Sequence, residues 1–222
     1  MKKRILLFVL FFLVMLPLSA QDGIIVNSSD KKVAVGLKIH GGLNMSNFTG
    51  GDNYAGFGMR LGANAGAGVS LRFVKRHDYT PVEEDGWLGL DAGVAFEMSG
   101  TKASPGSGIS MMNVGVPIFF QVYPVSWLYF EAGPEFFLNL STSPNTTTIG
   151  LYELELNGHK ANDIKLGVGA GVKLGNFGIG ARYLIGMVGF ASNLPWKCNV
   201  IQVSLSYTIP LGGRSSSQII IE

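Results

Sequence analysis

The feature of this sequence that most constrains its fold is a strict alternation of residue types. In the stretch FGMRLGANAGAGVSLRF, residues 57–73, every odd position holds an apolar residue, and the even positions hold only glycine, arginine, asparagine and serine. Successive side chains of a β-strand point to opposite faces, so the pattern predicts a long strand with one wholly apolar face. The other face consists of glycine and polar residues, and the fold has to accommodate both.

Seven further runs of the chain alternate in the same way, so about eight strands are predicted in all. Each run is near or above the 9–11 residues that a tilted strand needs to cross a membrane. Pro117 is discordant within its run, because proline is tolerated in a strand only at a bulge or an unpaired position. The seven runs are 33–43, 87–98, 113–123, 128–140, 164–174, 177–186 and 200–209.

The connections between these strands alternate in length along the chain. Two of them, 124–126 and 175–176, are short. Outer-membrane barrels combine tight periplasmic turns with long outer loops, and the asymmetry is typical of them. The connection 74–86 departs from the pattern, since it falls where a short turn is expected. The long connections are 44–56, 99–108, 141–163 and 188–199.

The first twenty residues predict a secretory signal peptide. They combine three basic residues, an apolar run from Ile5 to Leu18 and the small residues Ser19 and Ala20. The run is shorter than the roughly 20 apolar residues that an uncleaved anchor helix needs, so we expect cleavage after Ala20. The rest of the chain is predicted to comprise a periplasmic segment at 21–32, a barrel at 33–211 and a C-terminal tail at 212–222.

Composition narrows the class of protein. Three of the 17 basic residues lie in the signal, which leaves 14 against 15 acidic ones and changes the net charge from +2 to −1. That balance implies no nucleic acid or other polyanion as a partner. Cys198 is the only cysteine, so the exported chain has no internal disulfide framework. Charged residues form only 14% of the chain, well below the roughly 25–35% expected on a soluble surface.

A closed barrel in the outer membrane explains both faces of the strands. Lipid offers the backbone no hydrogen-bond partners, so spanning strands must close on themselves, with aliphatic residues outward and polar residues inward. A soluble barrel would also alternate, but the signal peptide, the low charge and the glycine-rich polar face argue against it. Aromatic residues are expected at the periplasmic rim, namely Phe73, Trp87, Tyr123, Trp127, Phe177 and Tyr207.

The order of several glycine-rich phrases resembles that of the porin-like family of small outer-membrane β-barrel proteins. The phrases are GLKIHGGLNMSNFTG, VPIFFQVYPVSWLYFEAGPEFFL, IKLGVGAGVKLGNFGIGARYLIG and NVIQVSLSYTI. The resemblance covers essentially the whole mature chain. It implies an all-β fold, a closed antiparallel eight-stranded up-and-down barrel with both chain ends in the periplasm, and usually no assigned activity.

The inward face is predicted to gather ten charged residues. We interpret them as a structural network of ion pairs and hydrogen bonds that fills the lumen, since eight strands leave an interior only just wide enough for side chains. A pore-lining role is the alternative. The glycines beside these charges leave room for long side chains. The ten residues are Lys38, Arg60, Arg72, Asp91, Glu97, Glu131, Glu135, Lys165, Lys173 and Arg182.

No motif predicts a catalytic, cofactor or metal site. The phrase GVGAG at 167–171 lacks the G-x-G-x-x-G spacing and the following helix of a phosphate-binding loop. The sequence has no paired-cysteine or H-E-x-x-H motif. His40 with a barrel serine such as Ser204 is similar to the machinery of an outer-membrane lipid hydrolase, but a histidine without a partner motif is usually structural.

The sequence therefore predicts a non-enzymatic protein of a Gram-negative outer membrane, with an envelope or surface-interaction role through long extracellular loops. The alternatives are a narrow porin-like channel for ions or small solutes and, third, a lipid-modifying enzyme. Expected partners are outer-membrane lipid and lipopolysaccharide, the barrel-assembly machinery and an extracellular partner, and no cofactor is expected. Cys198 falls in a predicted outward-facing connection, so a membrane-impermeant maleimide is expected to label it.

Overall fold

The structure is a computed structural model, and it describes residues 33–50, 57–75, 84–103, 107–143, 146–149, 152–155, 162–189 and 196–211. The predicted signal peptide, the periplasmic segment and the whole C-terminal tail lie outside these residues, as does most of the connection at 74–86. The described strands belong to one compact unit, Lys32–Arg214.

Eleven β-strands make up most of the described chain. Two of them, β2 and β3, are parts of one long strand that is interrupted at Met59, and β7 and β8 form a separate hairpin. No helix among the described residues is long and apolar enough to cross a membrane. The strands are β1 (Val33–Thr49), β2 (Phe57–Gly58), β3 (Arg60–Lys75), β4 (Glu84–Ala103), β5 (Ser107–Val125), β6 (Leu128–Ser143), β7 (Thr146–Ile149), β8 (Tyr152–Glu155), β9 (Asn162–Leu174), β10 (Phe177–Gly186) and β11 (Lys197–Pro210).

Eight long strands close into one antiparallel barrel, which confirms the fold predicted from the alternation. Their order around the barrel is β1-β3-β4-β5-β6-β9-β10-β11, with β2 continuing β3. The first and last strands close it, pairing from Gly36↔Pro210 to Thr49↔Lys197. Because every barrel strand pairs with two neighbours, the sheet has no open edge and its backbone groups bond to one another.

The strands are staggered as they close. We followed directly paired residues from strand to strand, starting at Met45 on β1. One full circuit of the barrel returns to β1 at Val35, so the register shifts from position 45 to position 35. A stagger of this kind requires tilted strands, typically at about 35–45° to the barrel axis. The path runs through Ile201, Tyr183, Val168, Ala132, Phe120, Leu90 and Leu71.

The two faces of the strands are as predicted. Apolar residues of the alternating runs point outward, and some are very exposed, such as Leu43 at 68% and Leu205 at 64%. Residues of the opposite phase, such as Asn44 and Gln202, are buried inside the barrel. The outer surface is therefore the apolar one, which is the arrangement of a barrel in lipid rather than in water.

The strands are longer than the alternation alone predicts. The sequence predicts a long loop at 99–108, but β4 continues to Ala103 and β5 begins at Ser107. That prediction is wrong because serine, threonine and lysine occur where apolar residues would continue the alternation, while the pairing of β4 with β5 continues. Pro117 is placed as expected, since the pairing of β4 with β5 passes from Ala92↔Ile118 to Ala95↔Gly115 and leaves Pro117 in the gap.

The two ends of the barrel differ in their connections. Two-residue turns at Ser126–Trp127 and Gly175–Asn176 close one end, which we call the turn end. Gly175 has a φ of 62°, a left-handed conformation that glycine adopts without strain. The opposite end, which we call the loop end, carries the longer connections, among them the one that contains β7 and β8.

Most of the aromatic residues predicted at the rim lie exposed at the turn end. Trp87, Trp127 and Phe177 are all more than half exposed, and the ring of Phe177 packs against that of Tyr207 with 4.9 Å between centroids. Tyr123 is the exception. It is 7% exposed and lies inside the barrel, because it shares the inward phase of β5 with Gln121, so it lies near the turn end but faces the lumen rather than the membrane interface.

Candidate functional site

A cation stacked on an aromatic ring lies inside the barrel at the turn end. The guanidinium of Arg72 lies 3.9 Å from the ring centroid of Tyr123, and its Nε donates to the carbonyl oxygen of Gly86 at 3.0 Å. The Tyr123 hydroxyl donates to Oε1 of Gln121 at 2.7 Å. A desolvated cation over an aromatic face is a favourable contact, so these side chains hold one another on the inner face of β3, β4 and β5.

A chain of polar side chains crosses the lumen on the loop-end side of this stack, and we call it the lower layer. Lys38 donates to Oδ2 of Asp91 at 2.5 Å. Gln121 donates to the same oxygen at 2.8 Å and to Oε2 of Glu131 at 3.1 Å. Arg182 donates through two nitrogens to the two oxygens of Glu131. The five residues come from five strands, so the layer links β1, β4, β5, β6 and β10 across the interior.

A second group of charges, which we call the upper layer, lies nearer the loop end. Lys165 on β9 donates to Oε1 of Glu97 on β4 at 2.5 Å, and both side chains are 1% exposed. Gln202 on β11 donates to the other Glu97 oxygen at 2.9 Å. The Lys165 ammonium also lies 4.3 Å from the ring centroid of Phe137. Removing either partner of a pair this deeply buried would leave an uncompensated charge.

Glu135 lies close to full burial, at 1% exposure, on the same inward face of β6 as Glu131. Its Oε2 has no hydrogen-bond partner in the structure. Directly opposite it in the ladder, on β9, is Lys165. The sequence-predicted residues Arg60 and Lys173 lie half-buried near opposite ends of the lumen, on β3 and β9, beyond the two layers.

The glycines of the inward face make room for large interior side chains. A Cβ atom at Gly180 would lie 2.7 Å from the Tyr129 hydroxyl, and one at Gly167 would lie 2.6 Å from the Phe119 ring. One at Gly66 would lie 2.5 Å from the His40 ring. The large interior side chains therefore pack against glycines, because a larger residue at these positions would displace the neighbouring ring.

An apolar cluster that the sequence reading missed extends from the loop end of the lumen down to Phe119, which is level with Asp91 of the lower layer, and we call it the cap. Trp196 is 2% exposed although it precedes the first residue of β11, and Val200 and Ile109 are fully buried. The signal for it was the inward phase of β5, which continues from Asn113 through Met111 to Ile109. The cap comprises Phe48, Ile109, Met111, Phe119, Phe137, Leu184, Trp196, Cys198 and Val200.

The burial of Cys198 corrects the prediction of a reactive outward thiol. Its side chain is 4% exposed and packs in the cap, because the strand starts at Lys197 and places the thiol on the inward phase. We now expect a membrane-impermeant maleimide to leave Cys198 unlabelled in intact cells and in the folded purified barrel. After heating in SDS the same thiol should label fully. Labelling of the folded barrel, absent in Cys198→Ser, would contradict this burial.

Two small cavities lie beside the lower layer. One cavity of about 20 Å³ is bordered by Lys38, His40, Asp91 and Arg182, and another of about 10 Å³ by His40, Tyr129 and Ser204. A cavity needs roughly 10–15 Å³ to hold a single water molecule. These cavities are therefore of the size of one or two waters.

The structure also locates the candidate catalytic pair of the sequence. His40 and Ser204 both border the smaller cavity, on the inward faces of β1 and β11. His40 also lines an open apolar pocket of about 410 Å³ together with Ile39, Ile179 and Leu205, and Ser204 is not among the residues of that pocket. No three histidine, cysteine or acidic residues of the described chain are grouped so that they could hold a metal ion, and GVGAG lies within β9.

Comparison with known proteins identifies similar folds. The family model described as "Outer membrane protein beta-barrel domain" matches residues 20–207. No curated protein matches the chain. Among solved structures, Neisserial surface protein A is 13% identical with a TM-score of 0.46, and the match covers 77% of this chain and 96% of that one.

Two further solved structures resemble the chain at similar levels. Ail, the attachment invasion locus protein of Yersinia pestis, is 15% identical with a TM-score of 0.41. The outer membrane enzyme PagL is 16% identical with a TM-score of 0.36. Each match covers 80% of this chain and 99% of the other.

Proposed function

This chain belongs to the outer membrane protein beta-barrel domain family, and from that premise we propose that it is a non-enzymatic outer-membrane protein whose lumen is structural and whose loop end meets surface partners. In this family arrangement the turn end faces the periplasm and the loop end faces outward. Outer-membrane lipid and lipopolysaccharide would surround the apolar band, and the barrel-assembly machinery would insert it.

The filled lumen is the observation that carries the proposal. A conducting pathway needs a continuous water-filled route lined by groups that an ion can contact and leave. Here the polar and charged side chains within each layer are bonded to one another. The Arg72–Tyr123 stack lies at the turn end, and the cap extends to the loop end. These contacts favour a structural role over the channel alternative.

The position of His40 favours a non-enzymatic role over lipid modification. A lipid hydrolase must present its nucleophile and base to an acyl chain, within hydrogen-bond reach of each other. The cavity that His40 and Ser204 share is only about 10 Å³, and Ser204 does not border the open apolar pocket that His40 lines. We expect no release of acyl chains from lipopolysaccharide by the purified protein, and turnover that His40→Ala abolishes would overturn the non-enzymatic proposal.

The loop end offers a polar surface for a partner. Thr49 and Asn199 are hydrogen-bonded to each other at 3.0 Å on the exposed rim, and Asn139 on β6 bonds to Thr142 on the same strand and to Asn113 on β5. Uncharged amides and hydroxyls of this kind can bond to protein backbone or to sugar hydroxyls. The proposal is therefore that recognition at this end depends on hydrogen bonding and the adjoining connections rather than on charge.

A pair of matched connection swaps tests the surface role. Intact cells that carry the protein are compared with cells in which residues 144–161 are replaced by a glycine–serine linker, and with cells in which residues 76–83 are replaced likewise. Binding of the cells to arrays of extracellular-matrix proteins and glycans is measured. We expect the first swap to lose binding and the second to retain it. Equal binding by a strain that lacks the protein would count against the surface role.

A further inference from the structure

The methionines of the barrel lie almost entirely on one part of its surface. Of the six in the described chain, five point outward and are 37–58% exposed, whereas Met111 lies inside the cap at 6%. The five form what we call the methionine rim, namely Met45, Met59, Met98, Met112 and Met187.

The strand register places the rim at the loop end of the apolar surface. Met98 and Met112 are direct partners on β4 and β5, and the backbone N–H of Met187 donates to the carbonyl oxygen of Ile164, near the first residue of β9. On β1 the outward positions beyond the rim are polar, as with Asn47 and Thr49 after Met45. The rim therefore marks the outward boundary of the lipid-facing band, opposite the aromatic boundary at the turn end.

The chemistry of the thioether distinguishes this boundary from an aliphatic one. Methionine sulfur is polarisable and is oxidised to a sulfoxide, which is polar. With a hydroperoxide, a sulfur lone pair attacks the O–O bond, one oxygen is transferred to sulfur, and water leaves if the oxidant is hydrogen peroxide, or an alcohol if it is a lipid hydroperoxide. The sulfur is oxidised by two electrons and the peroxide is reduced by two.

The folded barrel can tolerate methionine sulfoxide at the rim because the rim lies at the edge of the lipid-facing band. A sulfoxide in the middle of the hydrocarbon would lack hydrogen-bond partners, which is costly. At the edge of the band the flexible side chain can turn its oxygen toward interfacial water, as long amphipathic side chains do. Oxidation inside the cap would be disruptive by contrast, because Met111 is packed among Ile109, Phe137 and other apolar side chains.

We propose that the methionine rim is a set of modification sites at which the barrel reduces hydroperoxides in the outer leaflet of the membrane while remaining folded. The oxidants are of one chemical class, hydroperoxides, and they arise either in the water phase or on unsaturated acyl chains. Each barrel takes up one oxygen per rim methionine. This role requires neither a ligand in the lumen nor a partner at the loops.

The neighbouring residues Met111 and Met112 provide a built-in comparison. The full mature chain is folded into vesicles of unsaturated phosphatidylcholine and exposed to hydrogen peroxide, and sulfoxide at each methionine is followed by peptide mass spectrometry. We expect Met112 to oxidise at least about tenfold faster than Met111, because burial controls access of the oxidant. Like the unoxidised barrel, the oxidised barrel should remain folded in SDS until it is heated. Equal rates at the two residues, or loss of the SDS-resistant form, would overturn the proposal.

A variant with all five rim methionines replaced by leucine tests peroxide removal, since the swap conserves volume. Pre-formed acyl hydroperoxides are titrated in vesicles that contain either protein. The native barrel should remove lipid hydroperoxide up to about five equivalents per barrel, whereas the variant should remove almost none. If the five-fold variant does not fold, Met112→Leu alone should lower the uptake by one equivalent. Equal removal by native and folded variant protein would contradict the inference.

Discussion

Replacing Lys165 by methionine is expected to destabilise the barrel by about 3–5 kcal/mol, because it leaves Glu97 as a buried charge without its cation. The two side chains are each 1% exposed and only 2.5 Å apart, so water cannot take the place of the lost partner. Reversible urea unfolding in lipid vesicles, read by the gel shift between folded and unfolded forms, measures the loss.

The matched control for Lys165→Met is the double variant Lys165→Met with Glu97→Gln. Removing both charges together is often close to neutral, because neither side chain is then left charged and alone. We expect the double variant to recover most of the stability that Lys165→Met loses, with Gln202 still bonded at position 97. A double variant less stable than Lys165→Met would show that the pair does not act as a unit.

Placing arginine at Ala65 is expected to cost about 2–4 kcal/mol, because the side chain would enter the hydrocarbon near the middle of the band. Ala65 points outward on β3 and lies opposite Gly41 and Phe96 on its two neighbouring strands. Ala65→Leu is the control, since it adds volume without charge and should be almost neutral. The folded fraction after refolding into vesicles measures both. A barrel that tolerates the arginine as well as the leucine would have its faces inverted.

The fold could be read from the sequence because a single physical rule determines it. A period of two fixes which residues share a face, so the outward position of Ala65 and the inward position of Glu97 follow from the pattern alone. The ends of the strands could not be read in this way. Where the chain leaves the hydrocarbon, polar residues appear on both faces, and the alternation fades while the backbone ladder continues to Ala103.

The interior could be predicted as a set of residues but not as a set of contacts. All ten charged residues lie on the inward strand phase, yet Lys38 and Asp91 are 53 residues apart and meet because β1 and β4 both pair with β3. The close packing of the interior side chains could not be predicted from the sequence either. The alternation suggests that Gly66→Ser is mild, but the structure places the His40 ring and the carbonyl oxygen of Val94 where the new side chain would begin.

Conductance across planar bilayers tests the central claim, that the lumen is filled by structure, most directly. The purified full-length barrel is inserted at both polarities in high salt, with a general porin as the control for insertion and detection. With the two layers bonded across the lumen and the cap in place, we predict no stable unitary steps above the bare bilayer. Reproducible steps whose ion selectivity changes in Glu131→Gln would contradict a sealed lumen and establish a channel.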